Sequence, residues 1–100
     1  MRIVWSPLAI ERIEEISDYI ARDSPAAANR WIDAVFEKAD ILKDNPEIGR
    51  IVPELDLPSI RELIHGNYRT IYRLQERQIT ILTVRSFRQI LPLGDLGVNR

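Results

Sequence analysis

The apolar residues of this chain keep a helical period in its first half and a strand period in its second. The switch falls in a proline-punctuated stretch from Asp44 to Pro58. Ile3-Val-Trp5 is a short apolar run that reads as a buried first strand. Ser6-Pro7 then opens a helix, because serine caps orphan amides and proline fits the first helical position. Leu8 or Ala9, Ile13, Ile16 and Ile20 make one apolar stripe, while Glu11, Glu14, Glu15 and Asp18 face elsewhere. The same signal at Ser24-Pro25 starts a second helix, predicted to reach about Lys43. Ala27, Trp31, Val35 and Leu42 form its stripe, and Ile32, Phe36 and Ala39 widen it. The Arg22-Asp23 link is short, so the helices must fold back as an antiparallel pair.

From Asp44 to Pro58 the pattern breaks at Asn45-Pro46, Gly49, Pro53 and Pro58, giving a loop too long for a simple turn. Ile60 to Leu74 then reads as two strands meeting at Gly66-Asn67, a pair that tolerates the positive φ of a tight hairpin. Residues two apart share a strand face, so Arg69, Ile71 and Arg73 are expected on one side and Tyr68, Thr70 and Tyr72 on the other. Gln78 to Phe87 is a third run, joined through a turn around Glu76-Arg77. Residues 89–100 form a tail, in which Ile90, Leu91 and Leu93 are placed to dock on the body or on a partner.

This order predicts a single α+β domain over residues 1–100. An N-terminal strand leads into a long antiparallel helical hairpin, and a three-stranded antiparallel meander completes one sheet (β-α-α-β-β-β). The helical pair covers one face of the sheet. The other is expected to lie open, with Ile71 or Ile81 among arginines, as a candidate binding surface.

Composition adds two constraints. The chain is 45% hydrophobic and 29% charged, as an ordinary folded domain is, with no cysteine to supply a disulfide, a thiolate metal site or a catalytic thiol. No apolar run approaches the roughly 20 residues of a membrane span, and the first residues turn polar too quickly for a signal peptide, so a cytoplasmic location is expected. A net charge of −1 argues against strong direct nucleic-acid binding. That average hides an asymmetry: residues 1–48 carry −4 and residues 49–100 carry +3, and every basic residue of the second part is arginine. Arginine presents a planar fork of donors suited to carboxylate and phosphate.

Conventional active sites find little material here. His65, the single histidine, sits at the hairpin turn, where such residues more often cap or solvate than catalyse. No second histidine and no acidic cluster at ligand spacing accompany it, so no metal or other cofactor is expected. Gly66, Gly94 and Gly97 are isolated from any phosphate-loop pattern, and the serines lack an evident base. What remains is a cationic clamp, Arg50, Arg69, Arg73 and Arg85 with Ser86 and Phe87, and Glu62 nearby. Arginine can grip phosphate and stabilise developing charge, but bond chemistry on RNA also needs groups that shuttle a proton.

A set of residues in order and spacing resembles the ParE/RelE toxin superfamily of bacterial type II toxin–antitoxin pairs. They are Trp5, Ala9, Ile13, Ile16, Tyr19-Ile-Ala21, Pro25-Ala-Ala27, Leu42, Asn45-Pro46, Gly49-Arg50, Ile60-Arg-Glu-Leu63, Tyr68-Arg-Thr-Ile-Tyr-Arg73 and the strand from Ile79 to Arg88. The most specific pieces are Pro46-x-x-Gly49-Arg50, Arg61-Glu-Leu63 and Tyr68-Arg-x-Ile-Tyr-Arg73. RelE-like members cut mRNA on the ribosome with basic residues and a tyrosine, histidine or glutamate, whereas ParE-like members have a longer helical hairpin and poison DNA gyrase. The long hairpin, and Ser86-Phe87 where many ribonuclease members place a His-Tyr type pair, favour the ParE-like branch.

The resemblance implies a plasmid-stabilisation type toxin that inhibits gyrase by binding, without catalytic residues or cofactor of its own. It also implies a cognate antitoxin, a small DNA-binding protein with a disordered C-terminal segment that folds along the toxin. Arg50, Arg61, Arg69, Arg73, Arg85, Phe87 and Arg88 are the positions it nominates for the target, with structural ion pairs to Glu62 or Glu54 the alternative role for Arg61 and Arg50. Trp31, Val35, Ile71 and Ile81 are those it nominates for the antitoxin groove. Two alternatives stand beside this reading: a ribosome-dependent mRNA endoribonuclease of RelE type, and a non-toxic partner of an antitoxin.

Overall fold

A computed structural model describes residues 1–87 and 91–97. Strand β1 (Arg2–Trp5) leads into helices α1 (Pro7–Ala21) and α2 (Pro25–Asp40), and a 3-10 turn over Ile41–Lys43 extends the second. Both helix starts follow the capping logic. The Ser6 Oγ accepts the Ala9 amide at 3.0 Å and the Ser24 Oγ accepts the Ala27 amide at 3.1 Å, each ahead of a proline. Strands β2 (Arg50–Ile51), β3 (Ile60–His65), β4 (Tyr68–Leu74) and β5 (Gln78–Ser86) follow, and a last 3-10 turn spans Leu93–Leu96.

The strands form one sheet in the order β1-β5-β4-β3-β2. The expected meander is β3-β4-β5, and β1 joins it parallel to β5, with Trp5 opposite Ile81. A parallel neighbour requires a long crossover, which the helical hairpin supplies. The loop after α2 holds one short strand that the sequence did not announce: Arg50 and Ile51 pair antiparallel with Glu62 and Arg61. At the β3–β4 turn Gly66 has a φ of 59° and Asn67 does not share its sign, so the glycine leads a II′-type hairpin. Between β4 and β5 the register slips: Ile71 faces Thr83 but Tyr72 faces Ile81, leaving Leu82 as a bulge.

The helices cover one face. Ala9, Ala39, Leu42, Tyr72, Ile79 and Ile81 form one core cluster there, and Ile13, Val35 and Val84 a second. Two expectations shift. Strand β1 is only half-buried because it is an edge strand, and Phe36 is partly exposed, leaning on Trp5 at a ring separation of 4.5 Å. The second face is not open. Val52, Ile60, Ile71, Leu82, Leu91 and Leu96 make a third apolar cluster on it, covered by the loop after β2 and by the C-terminal segment. Ile81 belongs to the helix side, whereas Ile71 lies under this cover.

Candidate functional site

The arginines predicted to share a face do share it, together with Glu62 of β3. Alternation sends Glu62, Arg69 and Arg73 to the outer side and Arg61, Leu63, His65, Tyr68 and Tyr72 to the helix side. Arg69 is 4% exposed and sits between two carboxylates. Its guanidinium donates to Glu54 Oε2 at 2.6 Å and to Glu62 Oε1 at 3.1 Å. Glu62, itself 1% exposed, also accepts Arg50 Nε at 2.6 Å. Arg50, Glu62, Arg69 and Glu54 therefore form one alternating chain of charge. Hydrogen bonding from Arg69 outweighs desolvation and holds the Glu54 carboxyl below its ordinary range. The arginines of this face are thus neutralised from within.

A second cluster lies where α1 meets β5. Asp95 accepts Arg85 Nε at 2.6 Å and the Thr83 hydroxyl at 3.0 Å, and Arg12 Nη2 lies 3.6 Å away. Burial opposes the charged form of Asp95, but the Arg85 and Thr83 hydrogen bonds with both guanidinium charges outweigh it and lower its pKa. Arg73 donates to the Leu96 carbonyl at 3.0 Å. Arg61 donates to the carbonyls of Pro58 and Gly49, each at 3.0 Å, and so ties down the loop before β2.

That loop explains the Pro46-x-x-Gly49-Arg50 spacing. Tyr72 Oη donates to the Pro46 carbonyl at 2.8 Å and accepts the Gly49 amide at 3.0 Å. A Cβ on Gly49 would lie 2.6 Å from that oxygen and 2.8 Å from the Glu62 carbonyl, so only glycine fits there. Fixing Gly49 aims Arg50 along the outer face.

Of the nominated target positions, the structure brings Arg50 and Phe87 together near the surface. The Arg50 side chain is 51% exposed and its Cζ lies 6.0 Å from the Phe87 ring centroid. Ile64, which the sequence reading did not single out, adds an exposed apolar side chain on the same face. Arg69, Arg73 and Arg85 turn toward internal partners, Arg61 serves the loop, and Arg88 lies outside the described residues. Of the antitoxin positions, Val35, Ile71 and Ile81 are at most 1% exposed and build core instead of lining a groove. Trp31 is half-buried, edge-on to Tyr68 at 5.2 Å. A groove of about 370 Å³ opens nearby between α1 and the end of β5, lined by Ile16, Tyr19, Tyr68 and Val84 among others.

His65 sits on the helix side of the sheet, across from the arginines. Its Nε2 is 3.1 Å from Thr70 Oγ1, and burial, then the charge of Lys38, pushes its pKa down. Sequence reasoning missed Asp95 and Arg12, and it offered Glu54 to Arg50 or Arg61 where the structure pairs it with Arg69. Glu62 was within reach, because a hairpin turn fixed at Gly66-Asn67 already puts it diagonal to Arg69 on one face. No local pattern announces Arg12 or Asp95, or ties Glu54 to Arg69.

Residues 3–91 match the family described as ParE toxin of type II toxin–antitoxin system, parDE. The chain belongs to the ParE toxin family. The Sinorhizobium fredii protein Y4kP, named as a candidate toxin, is 36% identical over 93 residues, covering 91% of this chain and 93% of its own. A solved structure from the chromosomal ParDE toxin–antitoxin system of P. aeruginosa shares the fold, with a TM-score of 0.70 at 21% identity. That match covers 86% of this chain and 95% of the other. Among the described residues, no helix of this ParE-family chain is long and apolar enough to cross a membrane.

Proposed function

We propose that this ParE-family toxin inhibits DNA gyrase by binding it, and that a cognate antitoxin with an acidic, initially disordered segment neutralises it. The observation that carries the reading is the separation of chemistry across the sheet. The outer face offers an exposed cation on an aromatic ring, Arg50 on Phe87, beside Ile64. Arginine–aromatic patches of this kind anchor protein interfaces. His65, the one residue whose ordinary titration range suits proton shuttling, is on the opposite face and is held toward its neutral form by burial. That separation favours a binding inhibitor over the ribonuclease reading.

The antitoxin segment is read as docking along the groove between α1 and the end of β5, with Trp31 and Tyr68 behind it. Purified protein should block gyrase supercoiling, relieved by antitoxin, and expression should induce the DNA-damage response. The double substitution Arg50→Ala, Phe87→Ala should weaken inhibition at least tenfold while the fold persists. Undiminished supercoiling at excess toxin, or codon-linked cuts in translated mRNA, would overturn the assignment.

A further inference from the structure

The segment Leu91–Gly97 closes the outer face without joining the sheet. Its one regular element is a 3-10 turn, and its hold on the body is made at a few points. Leu91 and Leu96 insert into the apolar cluster with Ile60, Ile71 and Leu82. Arg73 donates to the Leu96 carbonyl, and Asp95 takes Arg85, Thr83 and the nearby Arg12. This is how a bound peptide is held: apolar anchors at both ends and a carboxylate between them on two guanidiniums.

Asp95 is a costly way to build a core. A buried carboxylate loses hydration that its ion pairs only offset, and apolar packing commonly does as well or better. What the pairing does provide is exchangeability, since one carboxylate can replace another on Arg85 and Arg12 with little net change. Arg12 donates through Nη1 to Glu15 at 3.1 Å, but its Nε is buried with no acceptor among the described residues, so the cluster has one donor that Asp95 leaves unused.

We infer that Leu91–Gly97 is an intramolecular stand-in, latched by Asp95, for a peptide segment of a partner that carries a carboxylate next to a leucine. The face beneath it, Ile60, Ile71 and Leu82 with Arg73 and Arg85, is the docking surface. A tethered segment acts at millimolar effective concentration, so it sets a threshold that weak peptides fail to pass. The inference stands whether or not gyrase is the target.

Hydrogen exchange on the full chain and its Asp95→Asn variant tests the latch. Losing a charge-assisted bond should speed exchange of the amides in 91–97 about tenfold or more, with residues 79–82 of β5 still protected. The trans site is tested with a fluorescein-labelled peptide of the sequence Leu-Pro-Leu-Gly-Asp-Leu-Gly. By anisotropy the full-length Asp95→Asn, Leu96→Ala variant should bind it at least tenfold tighter than the unaltered chain, and the peptide carrying Asn in place of its Asp should lose that gain. Unchanged exchange in 91–97, or exchange rising together in 91–97 and β5, would overturn the latch. Equal peptide binding by the variant and the unaltered chain would overturn the docking face.

Discussion

The two faces of the sheet are built by different physics. On the helix side, apolar side chains from α1, α2 and alternate strand positions fill the space, and the few polar groups work as ties, Tyr72 to the Pro46–Gly49 loop above all. On the outer side a smaller apolar cluster is framed by the Arg50–Glu62–Arg69–Glu54 chain and by Asp95 with its two arginines. The lesson concerns what an arginine-rich strand means. A row of cations on one face does not make a binding platform, because a buried guanidinium must find carboxylates before the chain can fold. Only cations at the rim, such as Arg50, keep surface to offer.

The largest effect should come from breaking the outer face at its centre. Arg69→Met leaves Glu62 buried with Arg50 as its remaining cation, and should cost about 3–5 kcal/mol in urea denaturation. That matches the cost of emptying the helix side by Leu42→Ala, about 2–5 kcal/mol. Adding Glu62→Leu to Arg69→Met should recover much of the loss, since the stranded charge disappears with it. A double substitution no more stable than the single one would show that the pair contributes net stability.

Much of the helix side was legible in the sequence. Ser-Pro starts, the stripes through Ile13 and Val35, and the Gly66-Asn67 turn are local signals, and local signals survive into the fold. The parity that set Arg69, Ile71 and Arg73 apart from Tyr68, Thr70 and Tyr72 held as well. The outer side was not legible in the same way. Glu54 and Asp95 lie 15 and 10 residues from the arginines they serve, in segments without period, so nothing along the chain links them. A face whose cover comes from a loop and a terminal segment reads as open, because neither has the periodicity that announces packing.

The loop tie comes next in size. Gly49→Ala drives a methyl group against Tyr72 and the Glu62 carbonyl and should cost about 1–3 kcal/mol, as other overpacked sites do. Tyr72→Phe keeps the ring in the core but strands the Gly49 amide, at about 1–3 kcal/mol. Both should also loosen Arg50, so urea midpoints and target inhibition should fall together. Arg50→Ala should separate those readouts: Arg50 itself is half-exposed and buried Glu62 keeps Arg69, so stability should change by about 1 kcal/mol or less, yet inhibition should weaken. A large stability loss in Arg50→Ala would place it with the buried network instead of the rim.

The smallest effect distinguishes the faces by pH. Burial, then Lys38, lowers the pKa of His65 in the folded chain, so between its folded and unfolded values the unfolded state binds more protons. Its contribution is complete above the unfolded value of about 6.5 and is lost as pH falls below it. Glu54 and Asp95 also titrate below their ordinary range when folded, but their unfolded values lie near 4, so their contribution persists until pH drops below about 4. Thermal unfolding from pH 8 to pH 5 should therefore probe the helix side alone, with a modest fall in Tm that His65→Gln removes. Below pH 4 the steeper loss should belong to the outer face and remain in His65→Gln. If His65→Gln left the slope between pH 6.5 and 5 unchanged, the acid response in that window would have to arise outside the helix-side histidine.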